Sequence, residues 1–101
     1  MRNTGLATFH DDVQLADKPV IVDFWSPSCP PCRRLLPILE GLANEGVPVY
    51  KATIEDEPEL AQHYGVSALP TLLLFKGGEV IDRMLGLASR ERILEFYNRA
   101  A

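Results

Sequence analysis

Residues 25–37 read Trp-Ser-Pro-Ser-Cys-Pro-Pro-Cys-Arg-Arg-Leu-Leu-Pro and hold the only tryptophan, both cysteines and four of the eight prolines. Only Pro30-Pro31 separates Cys29 from Cys32. A bridge between such near neighbours removes little entropy from the unfolded chain, so stapling the fold is a poor reason for the pair. The flanks supply a better one. Upstream, Val-Ile-Val-Asp-Phe-Trp (20–25) is an apolar run broken only by Asp23, as expected of a strand covered on both faces. Downstream, from about Pro31 to Asn44, Leu35, Leu36, Ile38, Leu39, Leu42 and Ala43 recur at helical spacing, with Pro37 inside and Gly46 as the stop. The thiols therefore fall where a buried strand passes into a helix.

A helix start presents unpaired N–H groups and a partial positive charge, so a thiol there ionises nearer neutrality. Cys29, the outer residue, is the expected exposed nucleophile. Cys32, one turn in, is the expected shielded partner that resolves a mixed disulfide. Pro31 suits the first helical turn, where its missing N–H is not needed. Pro30 also has a fixed φ, and Pro31 biases it away from helical geometry. The two prolines stiffen the dithiol and leave the N–H of Cys32 as the nearby donor to Cys29.

Other uses of the cysteines fit less well. A structural zinc site needs four ligands, and the only imidazoles, His10 and His63, lack the spacing to the pair. They read as surface groups. Covalent haem attachment requires a histidine after the second cysteine, where this chain has Arg33. No metal and no bound cofactor is expected beyond a redox-active Cys29–Cys32 disulfide.

The rest of the chain completes an α/β pattern. Residues 9–16 are a short helix candidate, and 47–54 a second strand. Asp56 with Glu59 resembles a capping box for a helix that has Pro58 in its first turn, runs through Tyr64 and ends at Gly65. Residues 71–75 and 79–85 form a hairpin around Gly77-Gly78. Ser89 caps a last helix that buries Ile93, Leu94, Phe96 and Tyr97. One parallel βαβ unit followed by an antiparallel hairpin predicts a mixed sheet of four or five strands with helices on both faces. The 101 residues make one domain, 1–101.

Ten basic against 14 acidic side chains, a net charge near −4, argue against general affinity for nucleic acid or an anionic membrane. No stretch approaches the roughly 20 apolar residues of a membrane span. The first dozen residues lack the apolar core of a secretion signal, so cytoplasmic residence is expected. A monomer is expected as well.

Taken in order, the stretch Val22-Asp23-Phe24-Trp25-Ser26, the C-x-x-C pair, Pro37, the run from Tyr64 to Val80 and Gly86 resemble the thioredoxin family over nearly the whole chain. The departures are local. The family usually has W-C-G-P-C, and here Ser28 replaces the aromatic and Pro30 the glycine. The connection after the long helix looks short, and only Asn3–Thr8 is available for a first strand.

The resemblance implies a protein-disulfide reductase whose dithiol is restored by a thioredoxin reductase or an equivalent electron donor, with disulfide-containing proteins as clients. It implies that Asp23 accepts the proton of Cys32; an exposed strand-end carboxylate is the plainer alternative. Lys51, on a strand that could neighbour that of Asp23, is either its charge partner or a solvated lysine. An X-Pro bond is trans by default, whereas the resemblance implies a cis Leu69–Pro70 bond opposite the cysteines, beside a backbone edge for an extended substrate. Trp25 either packs as plain core or, as its place just before the cysteine loop favours, walls the dithiol, with Leu69, Pro70, Gly86 and Leu87 rimming a docking groove. For each leucine, simple core packing stays open. Two other functions stay open too: an isomerase or glutathione-linked reductase of shifted potential, and a docking module without redox turnover.

Overall fold

The computed structural model describes residues 1–100. Along the chain run β1 (Arg2–Asn3), a π-helical turn (His10–Gln14), β2 (Val20–Trp25), α1 (Pro30–Asn44), β3 (Val49–Thr53), α2 (Pro58–His63), β4 (Thr71–Lys76), β5 (Glu79–Leu85) and α3 (Arg90–Asn98). The five strands form one sheet in the order β1-β3-β2-β4-β5. Strands β1, β3 and β2 are mutually parallel, β4 pairs antiparallel with β2, and β5 pairs antiparallel with β4. This is the mixed sheet of the thioredoxin-like pattern.

Burial explains why Val20–Trp25 is central. Ile21 packs with Leu35, Leu39 and Leu42 of α1, Leu72 and Leu74 of β4, and Ile93 and Phe96 of α3. Val20, Val22 and Phe24 turn the other way, onto Phe9, Val13, Leu60, Leu73 and Phe75. A strand clothed on both faces has no place for polar alternation, so it reads as continuous apolar sequence. Each large side chain so buried contributes about 1.5–3 kcal/mol. By the same alternation, Asp23 belongs to the face that α1 covers.

Turn chemistry sets the hairpin. Gly77 and Gly78 have φ of 60° and 83°, and Lys76 pairs with Glu79 across them. A two-residue loop with two positive φ values favours glycine at both positions. Further along, the register slips between Leu74 and Phe75, which face Asp82 and Val80, so Ile81 is the extra residue of a bulge.

Three local expectations are corrected. The helix expected over 9–16 is a wider turn of five residues, held by the buried side chains of Phe9 and Val13. The Asp56–Glu59 capping box does not form: α2 starts after Glu57 with no side-chain cap. Glu57 instead accepts the Leu6 N–H at 2.9 Å, tying the N-terminal segment to α2. A first strand does exist, as the short pair Arg2–Asn3 against Tyr50 and Lys51. Two other local expectations hold: the Ser89 hydroxyl accepts the Arg92 N–H at 3.2 Å, and Gly46 follows α1 with a φ of 100°.

Candidate active site

The cysteine pair sits on the first turn of α1. Cys29 is the N-cap, in extended conformation, and Pro30 and Pro31 occupy the first helical positions. The two cysteines are disulfide-bonded, with Cα atoms 5.2 Å apart. Cys29 is half-buried, whereas Cys32 is completely buried. The N–H of Cys32 points at Cys29 Sγ from 3.3 Å. Pro30 and Pro31 carry no N–H, so the helix start directs this donor at the outer sulfur. A dithiol so arranged has one accessible sulfur facing a hydrogen-bond donor and one withdrawn sulfur within bonding reach of it.

The loop into the helix is tied from several sides. Cys29 donates its N–H to the Ser26 carbonyl at 3.1 Å, and the Arg33 guanidinium donates to the Pro27 carbonyl at 2.8 Å. The buried Ser26 hydroxyl donates to Glu55 Oε2 at 2.5 Å and lies 2.9 Å from Ser28 Oγ. Sequence reasoning missed Ser26 and Glu55. A Ser-Pro pair at a strand end is a recognisable turn signal for the first. Nothing local marks the second, whose partner is 29 residues away.

Asp23 is wholly buried, and neither carboxylate oxygen has a hydrogen-bond partner among the described residues. Desolvation by this burial pushes its pKa from 3.8 up to about 7, against a smaller lowering by the charge of Lys51. Lys51 faces Asp23 in the β2–β3 register, so both side chains leave the sheet on one side. Its ammonium also lies 5.4 Å from the centre of the Trp25 ring, within cation–π range. Trp25 is half-buried, and its indole N–H has no partner among the described residues.

The Leu69–Pro70 bond is cis. The Pro70 carbonyl accepts the Gly86 N–H at 2.9 Å, bringing residues 69–70 against 86–87. Phe24 pairs with Thr71, and Thr71 with Leu85, so both segments lie at the end of the sheet from which the cysteine loop departs. Pro70 is buried, Leu69 half-buried against the second core, and Leu87 46% exposed. Leu69 therefore packs against the core, while Leu87 is open to solvent. His10 and His63 are exposed, and no group of three or more metal-binding side chains gathers among the described residues.

The thioredoxin family model matches residues 2–99. The chain belongs to the thioredoxin family. It is 39% identical to a thioredoxin of Rickettsia bellii over 94 residues, covering 90% of each chain. It is 38% identical to a thioredoxin of Rickettsia typhi over 103 aligned positions, 99% of this chain and 98% of that one. Thioredoxin 1 of a Nostoc species is 41% identical over 83 residues, 79% of this chain and 78% of its own. With its C-x-x-C pair at bonding distance, this thioredoxin-family chain is a thiol–disulfide oxidoreductase that reduces protein disulfides through a dithiol.

Proposed function

We propose that Cys29 is the nucleophile, Cys32 the resolving thiol and Asp23 the proton acceptor for Cys32. The Cys29 thiolate attacks one sulfur of a client disulfide, forming a Cys29–client bond and releasing the other client sulfur as a thiolate. Cys32 then gives its proton to Asp23 and attacks Cys29 Sγ. The Cys29–Cys32 bond forms, the second client thiolate leaves, and two electrons have passed to the client. One observation carries this assignment: a partly exposed sulfur caps a helix and faces an N–H, while its partner is fully buried. Loss of insulin-disulfide reduction in Cys29→Ser, with capture of the substrate by Cys32→Ser, tests it.

Asp23 suits the task because a carboxyl titrating near neutrality can take a proton and give it back. Lys51 restrains the upward shift, and Pro30 and Pro31 stiffen the pair. An extended client segment lies along Leu69, Pro70, Gly86 and Leu87, beside Trp25, with Gly86 allowing close backbone approach. A thioredoxin reductase or equivalent donor restores the dithiol, and no bound cofactor takes part. The protein acts as a single-domain monomer over residues 1–101 in the cytoplasm. The family match over 2–99 supports the single domain, and no helix among the described residues is long and apolar enough to cross a membrane.

A further inference from the structure

The turn Ser26-Pro27-Ser28-Cys29 delivers the nucleophile, and Ser26 is its hub. Its carbonyl accepts the Cys29 N–H at 3.1 Å, and its side-chain oxygen accepts the Ser28 N–H at 3.3 Å. The same oxygen lies 2.9 Å from Ser28 Oγ and 2.5 Å from Glu55 Oε2. Counting protons fixes the direction of these bonds. A serine hydroxyl has one hydrogen and two lone pairs, and an ionised carboxylate only accepts. Ser26 must therefore donate to Glu55, and Ser28 must donate to Ser26 through both its N–H and its O–H. Every lone pair and proton of the Ser26 hydroxyl is then used. Among the described residues its only bond outside the turn is the one to Glu55, which is charge-assisted.

We propose that Glu55 is a positioning residue for the dithiol: its carboxylate, acting through the Ser26 hydroxyl, holds the turn that presents Cys29. The proposal rests on the assignment of Cys29 as nucleophile. It also gives Ser28 a use, since its hydroxyl is turned inward to complete the hub.

Insulin-disulfide reduction and the pH profile of Cys29 alkylation are measured for the wild type, Ser26→Ala, Glu55→Ala, the double variant and Glu55→Gln, with thermal unfolding recorded for each. Each alanine variant should slow reduction about tenfold, the factor carried by a hydrogen bond to a charged group. Each should also move the midpoint of the Cys29 profile, which a loss of stability alone does not do. The double variant should be no slower than the slower single one, because the groups act as one unit. Glu55→Gln keeps an acceptor oxygen and should retain most of the rate. Glu55 is exposed, so Glu55→Ala remains informative if Ser26→Ala fails to fold. Single variants within about twofold of the wild type, or effects that simply multiply, overturn the proposal alone. A wild-type Cys29 inert to alkylation overturns the assignment beneath it as well.

Discussion

Asp23 and Lys51 face each other where β2 and β3 pair in parallel, yet no ion pair closes between them among the described residues. The carboxylate is buried with no hydrogen-bond partner among the described residues, while the ammonium lies over the Trp25 ring. Burial wins over the attraction of Lys51, and the carboxyl titrates near 7.

That balance makes stability depend on pH. Between the unfolded value of 3.8 and the folded value of about 7, the native chain binds more protons at Asp23 than the unfolded chain does. Stability therefore falls as pH rises through this window; the penalty is absent below it and complete above it. At 1.36 kcal/mol per pH unit of displacement, the penalty is at most about 4 kcal/mol. Asp23→Asn should lose this dependence. Urea unfolding at pH 4 and pH 8 checks it: the wild type should gain on the variant at the lower pH.

Lys51→Met removes the one charge that lowers the Asp23 pKa. The carboxyl should then titrate above 7, and the pH-dependent loss of stability should extend upward. An infrared or NMR titration of the Asp23 carboxyl, compared with the wild type, reads the shift directly.

How much of this was legible before the fold was known depended on how local the signal is. The central strand, the helix after it and the cysteine pair are written in contiguous apolar spacing and two prolines. Ser89 and Gly77-Gly78 likewise act on their immediate neighbours. The capping box over Asp56 and Glu59 was plausible locally, but Glu57 binds Leu6 across the fold and α2 starts uncapped. The turn at 10–14 is anchored by Phe9 and Val13 in a core built from distant strands, which no local periodicity records. Asp23 stands out locally, as the one carboxylate in an apolar run. Glu55 lies among Glu and Asp neighbours, and nothing in that acidic stretch sets it apart.

If Asp23 takes the proton of Cys32, its loss should slow the second chemical step and leave the first unchanged. Asp23→Asn should accumulate the Cys29–client mixed disulfide at neutral pH, with resolution slowed about a hundredfold or more, the range of general base catalysis. Quenched-flow trapping followed by mass spectrometry measures both steps.

The core supplies a control of a different kind. Leu39 is wholly buried between the sheet and α3, and Leu39→Ala should cost about 2–5 kcal/mol. For a chain of this size, each kcal/mol lowers the Tm by about 4–8 °C. In the folded fraction, Cys29 alkylation should stay as it is in the wild type.

The most direct measurement is the alkylation rate of each cysteine in the reduced protein as a function of pH. Cys29 should react first, with a midpoint clearly below the value of about 8.5 for a free thiol, while Cys32 stays protected. A midpoint at the free-thiol value, or faster reaction at Cys32, would contradict a helix-start thiolate as the source of the activity.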